Sequence, residues 1–338
     1  MIVLLLPLVA AILLFVERPP KYPPKKAPNA LQERLYKRLA AGGLQGDELA
    51  TVGALTLGYK QELGKDLRRH FQASGAAHVL AVSGLHTGII YGLLVWLLTL
   101  GGRFRPLYEN RWGRRCISLV IIAAMWGYAW LTGMIPSVVR AVLMVTIFEV
   151  GRMAYRQAIS LNTIAAAAFL ILMVKPQDLW SVSFQLSFAA TAAIVIIAKG
   201  MESILPFHTL RRTRWGKMLS WVLGIIIVSL AAQLGTIPIT MFYFGQVSTY
   251  FLLTNLIVLP LATLLVPCGL ISIALGGSTV GVLFSRCTWG LAWTMNHSVA
   301  WIEHIPGSTI PAHVNGWMIG VYYVLLLLFC YFAFKKSH

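Results

Sequence analysis

His78-Val-Leu-Ala-Val-Ser-Gly-Leu-His86 opens an apolar run that continues to Leu100. Two histidines and a Ser-Gly pair at the head of such a run matter only if the surrounding solvent is hydrocarbon. There, an ionisable side chain is expensive, and a backbone break must be satisfied by protein or water. His78 and His86 are eight residues apart, about 80° around an ideal helix, and Ser83 is about 60° from His86. On a continuous helix all three would face one cavity, and Gly84 would let a neighbouring backbone approach or the helix break. The blander alternative is a pair of histidines satisfied by hydrogen bonds inside a bundle.

Composition decides the solvent. The length of 338 residues would suit two soluble domains, but 58% hydrophobic residues and 12% charged ones, with a mean hydropathy of +0.73, override that prior. The chain reads as an all-α polytopic membrane protein with about nine or ten transmembrane or re-entrant helices and additional amphipathic surface helices. Cys116, Cys268, Cys287 and Cys330 lie in or beside apolar segments with no C-x-x-C pair. They are packing residues, not a metal site or a disulfide framework, and no cofactor is expected. The net charge of +17 suits orientation, anionic headgroups or a polyanionic substrate.

Upstream of the opening stretch, residues 1–16 read as an uncleaved membrane anchor, because no cation precedes the apolar run and no small-x-small site follows it. Residues 17–29, rich in Pro and Lys, read as an extended linker. Residues 30–75 carry two helical patterns, 30–41 and 47–72, with apolar positions at helical spacing among Lys, Arg, Glu and Asp. These are expected on the membrane surface or over the bundle. Their cations, Lys60, Lys65, Arg68 and Arg69 among them, suit either a surface that collects a polyanion or a plain solvated face.

Downstream, residues 76–338 form the transmembrane domain, with spans expected at 76–100, 116–132, 137–150, 161–174, 181–198, 218–237, 249–274, 280–302 and 316–334. Several are short, and Gly133-Met-Ile-Pro136, Val174-Lys-Pro176, Thr236-Ile-Pro238 and Leu259-Pro260 are candidate breaks in discontinuous or re-entrant helices. The loops 101–115, 151–160 and 199–217 hold most of the arginines, including Arg103, Arg105, Arg111, Arg114, Arg115, Arg152, Arg156, Arg211, Arg212 and Arg214. The alternate loops hold a single lysine, Lys175. The positive-inside rule puts the arginine loops in the cytoplasm and the His78–His86 stretch at the outer end of its span.

Within the spans, Arg140 must meet a carboxylate, carbonyls or a water-filled path, or snorkel to the outer interface one turn away. Glu149 lies about 180° from it on the same helix and should not be its partner. Gln185, Ser187, Gln233, Thr236, Thr240 and Asn255 add polar groups that suit inter-helix hydrogen bonds or a pore lining. Trp289, Trp293, His297 and Trp301 recur at i+4. They suit an interfacial belt, a packing stripe or a platform for stacking bases. The sequence has no G-x-x-x-x-G-K-[ST], so it carries no ATP motor of that type, and its acidic residues are too sparse for a two-metal nuclease.

Five stretches together resemble the ComEC-type competence family. They are Ala73-Ser-Gly-Ala-Ala-His78 leading into Leu80-Ala-Val-Ser-Gly-Leu-His86, Gly133-Met-Ile-Pro-Ser-Val-Val-Arg-Ala141, Asp178-Leu-Trp-Ser-Val-Ser-Phe-Gln-Leu-Ser-Phe188, Gln233-Leu-Gly-Thr-Ile-Pro238 and Asn255-Leu-Ile-Val-Leu-Pro260. The resemblance covers roughly residues 30–334. It implies an inner-membrane channel that imports single-stranded DNA, with His78, Ser83, Gly84, His86, Arg140, Gln185 and Asn255 on or beside the path. Lys60, Lys65, Arg68 and Arg69 would collect DNA at the outer face. The expected partners are single-stranded DNA, membrane lipid, a cytoplasmic helicase or ATPase, and external DNA-binding or nuclease components. The OB-like and metallo-β-lactamase-like domains of full-length members do not fit within these residues, so no nuclease activity is expected of them. Two rivals remain. One is an intramembrane serine protease with Ser83 as nucleophile and His86 or His297 as base. The other is a secondary transporter with broken helices and protonatable histidines.

Overall fold

The computed structural model describes residues 9, 12, 27–80, 82–101, 103, 110–155, 161–198, 200–201 and 213–334. The expected anchor at 1–16 lies outside them except for Val9 and Ile12, as do most of the linker 17–29 and Arg105, Arg156, Arg211 and Arg212. Ile12 packs with Ala168, Leu172 and Phe184. The protein is all-α. The helices are α1 (Ala30–Ala41), α2 (Gly46–Leu57), α3 (Lys65–Ala73), α4 (Gly84–Leu98), α5 (Arg111–Leu131), α6 (Pro136–Met153), α7 (Leu161–Val174), α8 (Val182–Ala193, continued by a π turn), α9 (Arg214–Phe244), α10 (Phe251–Ala274), α11 (Thr279–Glu303) and α12 (Gly316–Phe334). Strands β1 (Gln246–Ser248) and β2 (Thr309–Pro311) pair antiparallel and tie the loop after α9 to the loop after α11. Among the described residues α5, α9, α10 and α12 are long and apolar enough to cross a membrane, and α4, α7 and α8 are shorter apolar helices.

The segment expected as one helix over 47–72, on the membrane surface or over the bundle, is two helices, and the first is enclosed by the bundle. Between Glu48 and Lys60 the sequence holds no charge, so α2 can be enclosed, and Thr51 to Leu57 are all buried. It packs on α10 and α11. Thr51 Oγ1 donates to Asn296 Oδ1 of α11 at 2.8 Å. Gly58 then turns the chain with φ of 70°, where a side chain would also run into Ile135. α1 is fastened at its start by a capping box, with Asn29 Oδ1 accepting from the Gln32 N–H at 2.7 Å and Gln32 Oε1 accepting from the Asn29 N–H at 2.9 Å. Gln32 Nε2 then donates to the Leu57 carbonyl at the end of α2. Thus α1–α3, Ala76, Val79, Leu80 and Val82, α4–α6, α10 and α11 share one apolar core.

Two of the four expected breaks are real. Gly133 (φ 75°) and Met134 (φ 54°) reverse the chain before Pro136 starts α6, and Pro176 starts a 3-10 turn to Trp180. The other two are corrected: α9 runs unbroken through Pro238, and α10 through Pro260 and Pro267. Proline removes the N–H that would bond the carbonyl four residues back, and in an apolar solvent that carbonyl needs another donor. At Pro238 the orphan is Leu234, and Tyr322 of α12 donates its hydroxyl to it at 2.9 Å. Tyr323 donates to the Gly235 carbonyl at 2.7 Å. Gly235 also lets α9 close on α8, since a Cβ there would meet Ala193 Cβ at 2.5 Å and the Ala189 carbonyl oxygen at 2.7 Å. Tyr322→Phe should therefore cost about 1–3 kcal/mol by leaving a carbonyl unpaired. Pro238→Ala, which restores the missing N–H, should cancel much of that loss in a double-mutant cycle read by thermal unfolding in detergent micelles.

Candidate functional site

The opening stretch is not one helix. Residues 77–80 are turns, and α4 begins only at Gly84 with Ser83 as its N-cap. The expected common face of His78 and His86 is therefore lost. His78 is exposed, with Nδ1 at 3.2 Å from the Gly75 carbonyl, while His86 is fully buried. Ser83 and His86 form a capping box with histidine in the third helical position, where glutamate or glutamine usually stands. His86 Nδ1 accepts the Ser83 backbone N–H at 3.1 Å and lies 2.9 Å from Ser83 Oγ. An Nδ1 that accepts an amide carries no proton, so in the neutral ring Nε2 is the donor. That Nε2 is buried without a partner. Gly84 is not demanded by crowding, because the nearest atom to a Cβ there is Ala141 Cβ at 3.9 Å.

Arg140 does not snorkel. It is 4% exposed, and its Nη2 donates to the Ser183 carbonyl at 2.9 Å and to Ser183 Oγ at 2.8 Å. Its Nε is buried and unpartnered. Glu149 is not its partner, as the helical spacing required. That carboxylate is instead fully buried and accepts from Tyr91 and Ser118 hydroxyls at 2.6 Å each, with Arg152 at 3.4 Å. Gln185 donates to the Leu179 carbonyl at 3.0 Å and so holds the 3-10 turn in place. Asn255 is 8% exposed with Oδ1 unpartnered.

These groups share a place in the fold. His86, Arg140, Ser183 and Asn255 all sit within the first turns of α4, α6, α8 and α10. α6 packs on α4 and α8, and α10 packs on α4. Ser137 donates its hydroxyl to the Val82 carbonyl, and Thr254 donates to the Ser74 carbonyl at 2.7 Å, so the loops before these helices are pinned together. Four helix N-termini thus gather at one end of the bundle, each contributing partial positive charge. With them come an arginine, a histidine N–H and an asparagine whose hydrogen-bonding capacity is partly unused. Ser183 and Ser137 were not singled out as site residues, although both lie within the quoted Asp178–Phe188 and Gly133–Ala141 stretches. Their hydroxyls find partners on other elements, which linear spacing cannot reveal.

The basic helix α3 lies at the same end. Of the four marked cations, Lys60 just before α3 and Lys65, Arg68 and Arg69 on it, Arg68 is occupied within the protein, donating to the Leu63 and Lys60 carbonyls at 3.1 and 2.7 Å. Arg69 pairs with Glu303 at 2.9 Å. Lys65 is exposed and Lys60 half-buried. Lys60 and Arg68 line a depression of about 140 Å³ together with Leu63, Gln72, Ala77 and Leu80. Burial, and then the Arg68 charge, lower the Lys60 pKa.

Glu303, the last residue of α11, also meets His70 Nδ1. Burial alone would raise its carboxyl pKa, but the bonds and charges of His70 and Arg69 outweigh that and hold it below the ordinary range. A depressed carboxyl stabilises the fold above its unfolded value, and this contribution is lost as pH falls through the lowered folded value. Acidification below about pH 4 should thus loosen α3 from α11, and Glu303→Gln should flatten that acid limb in thermal unfolding scans.

The Ser83–His86 contact meets the distance requirement of a nucleophile–base pair. No carboxylate orients His86, whose Nε2 has no partner, and His297 is engaged with its own helix through the Trp293 carbonyl at 2.9 Å.

The sequence model for the family described as Competence protein matches residues 55–336. ComE operon protein 3 of Bacillus subtilis (strain 168) is 28% identical over 294 residues, 84% of this chain and 35% of that protein. Escherichia coli (strain K12) YcaI is 27% identical over 217 residues, 63% of this chain and 27% of that one. An Aquifex aeolicus (strain VF5) protein is 29% identical over 143 residues, 42% of this chain and 32% of its own length. The chain spans about a third of the length of the curated relatives it matches. No solved structure matches it. The gathered helix ends and their polar residues all fall inside the span of the family match, and on that span the chain belongs to the Competence protein family.

Proposed function

We propose that this chain is the membrane-crossing part of a DNA-uptake system and passes single-stranded DNA inward across the inner membrane. The observation that carries the reading is Arg140. A guanidinium 4% exposed, held on Ser183 and within electrostatic reach of Asp178, still has a buried Nε left over for a visiting anion. A strand moving past needs transient neutralisation of its phosphates and not tight binding. One arginine, a histidine N–H and four helix N-termini at one end of the bundle offer that. The arginine-rich loops support putting this end outside, next to α3, where Lys65 and, just before the helix, Lys60 would meet the strand first, while His78 stands exposed between α3 and α4.

Energy for inward movement would come from a cytoplasmic helicase or ATPase. External DNA-binding or nuclease components would deliver the strand. The arginine loops at the inner end offer a docking surface for the motor. Arg140→Gln keeps a donor for Ser183 and removes the charge. A charge-assisted hydrogen bond is worth about 1.5–3 kcal/mol, so uptake of labelled DNA into the cytoplasm should fall about tenfold to a hundredfold. Unchanged uptake at equal expression would remove Arg140 from the path.

A further inference from the structure

α11 buries one face, with Thr288, Ala292, Met295, Val299 and Ile302, against α10, α2 and α3. Its opposite face carries Arg286, Trp289, Trp293, Thr294, His297 and Trp301, all exposed. The three tryptophans are 45%, 43% and 62% exposed, so they form no packing stripe among the described residues. An interfacial belt also fits poorly, because belts collect at one depth. Trp289 to Trp301 covers about 18 Å of helix axis, from mid-helix to the outer end.

Lipid is an unsuitable neighbour for this face. α11 has 25 residues, long enough to cross, yet it is not among the four helices apolar enough to do so. Val280, Val282 and Leu283 are exposed at its start, but from Arg286 onward the outward side carries Arg286, Thr294 and His297 among the tryptophans, where a lipid-facing helix would be apolar. The rings are arranged as a series. Trp289 and Trp293 lie 6.5 Å apart at 28°, and Trp293 and His297 lie 4.0 Å apart at 31°. No carboxylate interrupts them, since the one acid of α11 is Glu303, paired with Arg69 and His70. Arg286 sits toward the inner end, and His304 stands exposed beside the outer one.

We propose that this face of α11 is a stacking rail for the bases of a single strand, leading from the basic outer end toward the middle of the bundle. The proposal rests on the single-strand reading above and adds where the bases lie. Nucleobases stack on aromatic faces with little regard to sequence, which suits passage of arbitrary DNA. The phosphates would face Arg286 and the histidines.

The test uses the purified chain in lipid nanodiscs and single strands bearing 5-iodouracil, with crosslinks mapped by mass spectrometry and affinity read by fluorescence anisotropy. Crosslinks at Trp289, Trp293 or Trp301 are expected. Trp293→Ala and Trp293→Leu should each weaken single-strand binding about five- to hundredfold, and Trp293→Tyr should restore most of it. The leucine variant preserves apolarity, so a face that merely contacts lipid would tolerate it. Binding undiminished in both variants, with crosslinks confined to the Arg140 region, would overturn the rail and leave the uptake reading standing. A change in oligomeric state with single-strand affinity unaltered would also overturn it, giving this face to a second copy of the chain. Failure of the unmodified protein to bind or crosslink single strands at all would instead sink the parent reading, and the rail with it.

Discussion

Cells relying on a His86→Ala form of this protein should bind duplex DNA at their surface and deliver no labelled strand to the cytoplasm. Two roles of the ring have to be separated before that loss is read as transport chemistry. Nδ1 caps α4 by accepting from the Ser83 N–H, and loss of a cap costs about 0.5–2 kcal/mol, too little to unfold a bundle of this size. Nε2 is the group without a partner. His86→Glu distinguishes them, because glutamate is an ordinary residue for the third position of a capping box and has no N–H to donate. The glutamate variant should fold with α4 still capped and fail in uptake. If it transports normally, the histidine is a cap and nothing more. The same pair bears on the protease alternative, since Ser83→Ala should abolish any hydrolysis while sparing His86 Nε2.

Glu149→Ala should produce the largest loss of stability of any single change near the C-terminal end of α6, about 3–5 kcal/mol. The carboxylate is fully buried and is the common acceptor for Tyr91 of α4, Ser118 of α5 and Arg152 of its own helix. Truncation takes the shared acceptor from the Tyr91 and Ser118 hydroxyls, where desolvation is not repaid, and removes one contact of Arg152. Glu149→Gln keeps one acceptor and should lose less. Thermal unfolding by tryptophan fluorescence measures both. An alanine variant as heat-stable as the parent would mean that apolar packing alone holds these three helices.

The two sites were unequally visible before the fold was known. Arg140 and Glu149 stand out in an apolar run, and their half-turn offset excluded a pair. That Arg140 meets Ser183 on α8 and Glu149 meets Tyr91 and Ser118 on two other helices was not in the spacing at all. The Ser83–His86 relation was legible as a three-residue capping interval, but reading 76–100 as one continuous helix concealed it. Pro238 and Pro260 looked like breaks for a sound local reason. Tyr322, 84 positions further along the chain than Pro238, supplies the donor that lets α9 continue.

What the sequence by itself determined is the solvent and the class: an apolar, sparsely charged chain whose spans and arginine loops make an all-α membrane protein, with some helix ends marked by local residues such as Asn29, Gly58, Pro136 and Gly245. These are properties of residues a few positions apart, so they can be read along the chain. Tertiary structure alone decided that α2 is core and not surface, that His78 and His86 part company, that four helix starts meet at one end, and that the tryptophans of α11 face outward. Each of these depends on which distant element supplies a hydrogen bond or takes an apolar face. In a bundle where most side chains are apolar, hydrophobicity leaves that choice of neighbour open, and a few buried polar contacts settle it.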